Sequence, residues 1–259
     1  MPQAERPELI VVDNASDDGS PAMAREFFPD CRLVINDRNL GFAAACNRGA
    51  EEAAGVYLLF LNPDVEIDPQ AVGFLLAAFE QHPEAGLISG RLRFPDGTFQ
   101  ATCRNFPTIT NLVFSRGSLF SRLFCEGVDR QGRYTLPDYD STTEVPSVAA
   151  TLLMVRKDWF DRLGGFDTRF FMFMEDTDLS LRAAQTGSRN FVVPSAGGVH
   201  AWGRGSKAGW FRRQRHHHLS VWRYFLKHYP NGFSVVVLPV LLTINLLLSL
   251  LISGRGRRP

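Results

Sequence analysis

Two short apolar runs near the start of the chain each end in a polar turn that carries a carboxylate. The run at 9–12 ends at Asp13, and the run at 56–61 leads into a turn that carries Asp64. Short, unbroken apolar runs are typical of strands buried on both faces, as in parallel sheets. Ligands bind at the carboxyl ends of such strands, so these two polar ends mark a candidate binding edge.

Helical patterns alternate with the apolar runs. An alanine-rich stretch at 42–54 ends at Gly55, and Asp68 with Pro69 begins a helical pattern that continues to residue 81. This alternation predicts an α/β fold with a mostly parallel, Rossmann-like sheet flanked by helices. The other predicted strands lie at 33–35, 87–94, 148–155, 191–193 and 199–201, and the other predicted helices at 157–163 and 176–185.

The stretch FFMFMEDTDLSLR at 170–182 changes from an apolar run to a helical pattern that begins with Glu175, Asp176 and Asp178. Charges beside an apolar core are costly unless a partner pairs with them or a reaction uses them. Acids in the first turn of a helix also stabilise it through the helix dipole. The pattern alone therefore leaves both a catalytic and a structural interpretation open.

The candidates outside this cluster have structural alternatives as well. Asp64 fits a simple turn residue, and Asp13 and Asn14 fit capping residues. His200 fits a hydrogen-bonded core histidine, and Gly41 fits close helix packing.

Carboxylates at one sheet edge, with one candidate histidine and no cysteine ligands, suit a hard divalent cation, Mg²⁺ or Mn²⁺, that bridges phosphates. The chain has no GxxxxGK[ST] motif, and no GxGxxG follows its first predicted strand. These absences argue against a P-loop enzyme and a dinucleotide cofactor. A metal-assisted reaction on a nucleotide-linked substrate remains.

Charge is distributed unevenly along the chain. Residues 1–203 contain 18 Lys or Arg and 27 Asp or Glu, whereas residues 204–259 contain ten Lys or Arg and no acid. A basic tail on an acidic body suggests an anionic partner, either membrane lipid or nucleic acid. Residues 210–229 interleave arginines with apolar residues at helical spacing, as in a helix of the headgroup region, and the histidines at 216–218 fit a solvated part of it.

Residues 233–253 carry no charge, and as a helix they would be roughly 31 Å long, enough to cross a bilayer. We therefore predict a C-terminal membrane-associated helix, transmembrane or membrane-inserted, with a buried core helix as the alternative. The partner is then membrane lipid and not nucleic acid. The predicted organisation is a catalytic domain at 1–203, a basic amphipathic juxtamembrane segment at 204–232, the membrane helix at 233–253 and a basic tail at 254–259.

Five motifs occur in a fixed order: IVVDNASDDGS, NLGFAAACNRG, LLFLNPDV, GGFDTRFFMFMEDTDLSLRAAQTG and VHAWGRGS. In this order they resemble glycosyltransferase family 2, most closely its bacterial rhamnosyltransferase-like members. The resemblance spans roughly residues 9–206. It implies a GT-A fold and an inverting transfer of a sugar from a nucleoside diphosphate to an acceptor hydroxyl.

The resemblance also implies roles for the matched residues. Asp13 matches the residue that hydrogen-bonds the nucleotide base, and Asp176, with Glu175 beside it, matches the catalytic base. The other donor-binding positions are Asn14, Ser16, Asn39, Gly41, Asn47 and Asn62.

For the metal, the resemblance points to two residues. Asp64 stands in the place of the family's DxD motif, whose acid holds a divalent cation on the diphosphate, and His200 resembles a histidine that completes the metal shell. Asn62 occupies the position of the first acid of that motif.

The function that the resemblance implies is transfer of rhamnose from dTDP-rhamnose to a polyprenyl-linked or other saccharide acceptor in cell-surface polysaccharide synthesis. It implies the cell inner membrane, with the catalytic domain on the cytoplasmic side. The four cysteines have neither disulfide nor metal-site spacing, as in reduced cytosolic proteins.

The family has one further strand and helix before its IVVDNAS strand, so an N-terminally truncated domain is also expected. A catalytically inactive, membrane-tethered relic that binds nucleotide sugar is the alternative that follows. A metal phosphohydrolase is a further rival, because it too needs clustered acids.

Overall fold

The computed structural model describes residues 7–108, 135–201, 209–230, 232 and 234–255. Its largest sheet has seven strands. Five of them follow the order β3 (Tyr57–Leu61), β10 (Leu152–Arg156), β5 (Ala85–Arg93), β11 (Arg189–His200) and β4 (Val65–Ile67), with β6 (Phe99–Gln100) beside β5 and β8 (Thr143–Val145) beside β11.

The prediction of a mostly parallel sheet is wrong, because the main sheet is mixed. Strands β5 and β11 are parallel, but β10 is antiparallel to both of its neighbours, and β4 and β8 are antiparallel to β11. Strand β10 comes after a long excursion of the chain and enters between β3 and β5 in the opposite direction. A buried apolar run has the same pattern in either direction, so the sequence could not reveal this.

Helices cover both faces of the sheet, as predicted for an α/β fold. Strand β10 directs Leu152 and Met154 into one core and Leu153 and Val155 into the other, as the alternation of side chains along a strand requires. The first core contains α3 (Ala71–Gln81), and the second contains α2 (Phe42–Glu52), α4 (Lys157–Arg162) and α5 (Glu175–Gln185).

Two small sheets accompany the main one. Strands β1 (Ile10–Asp13) and β2 (Arg32–Ile35) are parallel, with α1 (Ser20–Phe27) between them in the chain. Strands β7 (Cys103–Arg104) and β9 (Ser147–Val148) are antiparallel. Within the described residues, β1 pairs only with β2, and β3 pairs only with β10. The expected truncation before β1 stays a prediction.

Two C-terminal helices complete the described part of the chain, α6 (Trp210–His228) and α7 (Ser234–Arg255). Phe170 and Met174, which precede α5, share a core with Tyr224 of α6 and Leu238 of α7. The helix predicted at 233–253 is therefore present as α7. Among the described residues, no helix combines the length and the apolar character needed to cross a bilayer.

Buried ion pairs connect α6 to α5. The Asp178 carboxylate, which is fully buried, lies 2.8 Å from Arg182 Nε, 2.6 Å from Lys227 Nζ and 2.8 Å from His228 Nε2. Lys227 Nζ also lies 2.7 Å from an oxygen of Asp167. Burial opposes the charge on Asp178, but the hydrogen bond from His228 and the charges of Arg182 and Lys227 outweigh it and lower its pKa.

We predict that Lys227→Met lowers the free energy of unfolding by about 3 kcal/mol at neutral pH, because the buried Asp178 and the partly buried Asp167 lose a shared cation. Since the pKa of Asp178 is lowered in the folded protein, this difference is fully present above the unfolded value of about 3.9 and disappears as the pH falls through the folded value. Urea unfolding between pH 3 and 7 measures it.

The matched control is Lys157→Met, which breaks an exposed pair with Asp161 and should cost about 0.5 kcal/mol. Equal effects of the two substitutions would contradict a structural role for the buried pairs.

Candidate active site

Asn14, directly after β1, holds the neighbouring loop in place. Its Oδ1 accepts hydrogen bonds from Asn36 Nδ2 at 2.9 Å and from the Leu40 backbone N–H at 3.0 Å. Its Nδ2 donates to the Gly41 carbonyl at 3.1 Å and to Asn39 Oδ1 at 3.2 Å. One amide side chain therefore fixes the loop between β2 and α2.

Asp13 shapes the turn that follows β1. Its carboxyl group is buried, and Oδ2 accepts a hydrogen bond from the Ser16 backbone N–H at 3.1 Å. Ala15, inside this turn, has a φ of 61°, in the left-handed region. The structure therefore brings together five of the predicted donor-binding residues: Asp13, Asn14, Ser16, Asn39 and Gly41.

Two residues of this region, Asn36 and Arg48, were not predicted. Asn36 is buried directly after β2, and its Oδ1 accepts a hydrogen bond from Arg48 of α2. A signal was present, because a polar residue that follows a strand is the pattern that identified Asp13. Arg48 adds a positive charge beside the loop.

Gly41 allows this loop to touch the segment that precedes α5. Its φ is 89°, and a Cβ at this position would lie 2.3 Å from the Phe171 carbonyl oxygen. The same carbonyl accepts a hydrogen bond from the Phe42 backbone N–H at 2.8 Å. The start of α2 is thereby joined directly to the segment that leads to Glu175 and Asp176.

The hydrogen bonds of Asn47 are structural. Its Nδ2 donates to the Phe166 carbonyl at 2.8 Å, and its Oδ1 accepts from the Phe166 N–H at 2.9 Å. Asn62 closes a turn after β3, since its carbonyl accepts the Val65 N–H at 3.1 Å. Donor contacts of Asn47 and Asn62 stay predictions.

Asp64 and His200 lie side by side where β4 pairs with β11. His200 Nε2 is 3.1 Å from Asp64 Oδ1, and His200 Nδ1 is 2.9 Å from Gln100 Oε1. Both neighbours are acceptors, so an N–H on Nδ1 can donate to Gln100 and an N–H on Nε2 can donate to Asp64. A cation bound at Nε2 would take the place of that second proton and would leave the N–H on Nδ1 directed at Gln100. Residues 202–206 of the last sequence motif lie outside the described residues.

This pair has the chemistry of a partial cation site. Imidazole nitrogen and carboxylate oxygen are both ligands for Mn²⁺, and a ligating histidine usually donates its other N–H to an acceptor such as Gln100. Within the part of the chain that the structure describes, no group of three or more His, Cys, Asp or Glu is gathered for metal binding. The remaining ligands would be phosphate oxygens and water, as is usual for Mg²⁺.

The first turn of α5 places its three acids in different surroundings. Glu175 is buried, and its Oε2 has no hydrogen-bond partner among the described residues. Burial and the neighbouring charge of Asp176 raise the pKa of Glu175 well above its ordinary value, so its neutral form is favoured. Asp178 is occupied by the ion pairs with α6.

The two carboxylate oxygens of Asp176 differ in their hydrogen bonds. Oδ1 accepts hydrogen bonds from the Thr177 backbone N–H at 2.7 Å and from Thr177 Oγ1 at 3.2 Å. Oδ2 lies 3.8 Å from Arg104 Nη2, which is beyond hydrogen-bond distance. Of the three acids, Asp176 is therefore the one suited to accept a proton.

Helix α6 supports the segment at 170–174. Ser220 Oγ donates to the Met172 carbonyl at 2.8 Å, and the His216 ring stacks on Phe171 at 4.5 Å. Phe173 and Met174 both have a φ of 69°, which non-glycine residues adopt only when their surroundings impose it.

The interpretation of the histidines at 216–218 as a solvated stretch is wrong. His218 is buried, and burial together with the charges of His218 and Arg104 lowers the pKa of His217 to about 4. Their packing depends on residues at 170–174, which are distant in sequence, and the local pattern could not show this.

The two halves of the site are connected through short segments. On one side, Asn14 contacts Gly41, and Gly41 contacts Phe171 ahead of α5. On the other side, Gln100 contacts His200, and Arg104, four residues further along, faces Asp176. These contacts relate the predicted donor, metal and base residues to one another.

Solved structures support a GT-A-like fold. A mannosyltransferase from Pyrobaculum calidifontis in complex with GDP-Man and Mn²⁺ aligns with a TM-score of 0.54 and 18% identity, over 97% of this chain and 67% of that one. GalNAc-T7 with UDP, GalNAc and Mn²⁺ aligns with a TM-score of 0.53 and 15% identity, over 90% of this chain and 47% of that one. The chain thus has the α/β architecture of GT-A-like glycosyltransferases.

Sequence comparison identifies the family. The family model described as Glycosyl transferase family 2 matches residues 3–164. The N-acetylglucosaminyl-diphospho-decaprenol L-rhamnosyltransferase of Mycobacterium tuberculosis is 32% identical over 76% of this chain and 67% of its own length. Rhamnosyltransferase WbbL of Escherichia coli is 27% identical over 66% of this chain and 62% of its own length. The chain belongs to glycosyltransferase family 2, as a rhamnosyltransferase-like glycosyltransferase.

For Glu175 we predict that Glu175→Gln is at least as stable as the wild type at neutral pH, because an amide replaces a carboxyl group that favours its neutral form. A raised folded pKa means that the wild type loses stability as the pH rises from about 4.3 towards that value, whereas Glu175→Gln does not. Urea unfolding of both proteins at pH 4.5 and 7.5 measures the difference. The quantity compared is the free energy of unfolding of Glu175→Gln minus that of the wild type. A difference that is smaller at pH 7.5 than at pH 4.5 would contradict a raised pKa of Glu175.

Proposed function

We propose that this glycosyltransferase transfers rhamnose from dTDP-rhamnose, with inversion, to a hydroxyl group of a lipid-linked saccharide. The observation that carries the proposal is the first turn of α5, where Asp176 Oδ2 makes no hydrogen bond in the described contacts and lies near a cation, Arg104. Glu175 is buried in surroundings that favour its neutral form, and Asp178 is held in ion pairs. The relatives named as rhamnosyltransferases support the sugar, and the name of the M. tuberculosis relative supports a diphospho-polyprenol acceptor.

In the proposed reaction, Asp176 Oδ2 accepts the proton of the acceptor hydroxyl as its oxygen bonds to the anomeric carbon. The bond from that carbon to the diphosphate oxygen breaks, and the electron pair leaves with the nucleoside diphosphate. A single displacement of this kind inverts the anomeric centre and needs no covalent sugar intermediate.

The donor would lie along the loop that Asn14 organises. Asp13 and Ser16 form one end of this loop, and Asn39 and Gly41 form the other. A cation bound by Asp64 and His200 would neutralise charge on the diphosphate when present. The Mn²⁺ named with the two structural neighbours supports a divalent cation as the cofactor.

We predict that Asp176→Asn lowers the turnover number for transfer at least about a hundredfold, because an amide cannot accept the proton. Donor affinity should change by less than about twofold, since the substitution preserves shape. Product formation with a lipid-linked saccharide measures the first effect, and calorimetry with sugar nucleotides, with and without Mn²⁺, measures the second.

Asp161→Asn, at an exposed carboxylate of α4, is the matched control and should leave both values unchanged. Retained turnover in Asp176→Asn would remove Asp176 from the role of base. A wild type that binds donor without any transfer would favour the inactive relic. Release of free sugar in the absence of acceptor would favour a hydrolase.

We also propose that α6 and α7 contact a membrane surface from the cytoplasmic side of the inner membrane. On α7 the exposed side chains of Val236, Val240 and Ile244 follow a spacing of four residues and lie on one face. On α6, Arg212 and Arg215 are exposed. An apolar face beside basic residues is typical of helices that lie in the headgroup region.

For this surface we predict that replacing Arg212 and Arg215 by Gln weakens binding to vesicles that contain anionic lipid by about thirtyfold, at roughly 1 kcal/mol for each lost charge. Sedimentation with vesicles at fixed salt measures the change. Replacing Arg162 and Arg189, exposed residues elsewhere, gives the same change in net charge and should have little effect. Equal losses in both double variants would mean that only net charge matters.

A further inference from the structure

The least explained residue near the site is Arg104. It lies on β7, and its guanidinium Nη2 is 3.8 Å from Asp176 Oδ2. Arg104 is 72 residues away from Asp176 in sequence, and none of the five family motifs includes it. Its place beside the candidate base is a product of the fold.

The backbone that carries Arg104 is anchored on α5 itself. Cys103 and Arg104 pair with Val148 and Ser147 of β9. The Val148 N–H in turn donates to Ser180 Oγ, on the second turn of α5, at 3.2 Å. Cys103 and Val148 are both buried, so β7 has little freedom to move relative to the first turn of α5.

Each of the three acids in the first turn of α5 has different charged groups around it. Asp178 pairs with Arg182, Lys227 and His228. Glu175 is buried in surroundings that favour its neutral form. Asp176 remains, and the cation that the described ion pairs assign to it is Arg104.

We propose that Arg104 is a positioning residue whose charge holds the Asp176 carboxylate in place for the transfer step. This inference rests on the proposed function of Asp176 as the base. It assigns a role to a residue on β7, outside the donor loop and the cation pair.

The separation of 3.8 Å suits this role. A guanidinium at this distance attracts the carboxylate without occupying the lone pairs of Oδ2 with a hydrogen bond. Those lone pairs stay open to the acceptor hydroxyl. Because arginine does not lose its proton in proteins, its charge is constant across the pH range of the reaction.

The other titratable groups around this pair do not supply the same charge. Glu175 and Asp178 of α5 are acids and supply no positive charge. His217 of α6 faces Arg104, and its lowered pKa, of about 4, keeps it neutral at the pH of an assay. Removal of Arg104 therefore leaves Asp176 beside acids and a neutral ring.

The experiment measures transfer rates against pH for the wild type, Arg104→Met, Arg104→Lys and Arg162→Met. In Arg104→Met the acidic limb of the turnover profile should move to higher pH by about one unit, because the ionised base loses its cation. Turnover on the plateau should fall roughly tenfold to a hundredfold, since the base is less well placed, with the KM for the donor unchanged.

Arg104→Lys keeps the charge, so its acidic limb should stay near that of the wild type even if its turnover falls. It also remains informative if Arg104→Met is too unstable to assay. Arg162→Met removes an exposed arginine of α4 and should match the wild type throughout. Acidic limbs of Arg104→Met and Arg104→Lys that both coincide with the wild type would overturn the proposal, and so would a higher KM for the donor as the sole effect.

A wild type that transfers no sugar would refute the proposed function and not the ion pair. Urea midpoints of Arg104→Met, Asp176→Asn and the double variant then decide the second question. Non-additive shifts support the pairing of the two side chains, and additive shifts rule it out.

Discussion

In this glycosyltransferase, the hydrogen bond from the Phe42 N–H to the Phe171 carbonyl joins the start of α2 to the segment that precedes α5. It forms only because Gly41 has no Cβ, which would otherwise lie 2.3 Å from the same oxygen. Through this contact, the loop that Asn14 organises is held against the segment that precedes α5. Donor-binding candidates from the start of the chain and the candidate base, more than 130 residues later, are thereby placed in one region.

The same segment is held from the opposite side by α6. Ser220 binds the Met172 carbonyl, and the core around Tyr224 encloses Phe170 and Met174. Two consecutive residues with positive φ are unfavourable for side chains larger than glycine, and the packing must compensate for them. Helix α6 therefore packs against the segment that leads to the candidate base, although its sequence reads as a separate basic helix. The domain boundary expected at residue 203 stays a prediction.

Much of the fold could be predicted from local patterns. The acid-ended strands β1 and β3, helix α2 and the acidic start of α5 follow from apolar periodicity and from the residues that end each element. Strand direction could not be predicted in this way, since β10 has the same buried pattern whichever way it runs. Strand β11 continues past Pro194 with an irregular register between Val193 and Gly197, where the sequence predicts two strands with a break. The break in the apolar pattern marks a bulge in one strand and not the end of a strand.

Sequence patterns could identify candidate residues whose type is itself unusual at their position, such as acids at strand ends. They could not identify residues whose role comes from a contact with a residue that is distant in sequence. Asp13, Asp64 and Asp176 stand out because acids at strand ends and helix starts have few roles. Asn36 has the same position after a strand as Asp13 and could have been found from it. Arg48, Gln100 and Arg104 did not stand out, because each acts on another residue that is distant in sequence. A single sequence contains no information on such pairs beyond general composition.

Within the part of the chain that the structure describes, Asp64 and His200 are the two residues proposed to hold a cation. Two such ligands would leave most of the coordination shell of Mg²⁺ or Mn²⁺ to other groups, with water and phosphate oxygens the expected ones. The affinity of the site for the cation then depends on the diphosphate, and the affinity for the diphosphate depends on the cation. We therefore expect binding of donor and cation to be mutually reinforcing, by the reciprocity that governs any two linked ligands. The Mn²⁺ arm of the calorimetry tests this, because equal donor affinity with and without the metal would mean that the pair serves only as a structural contact.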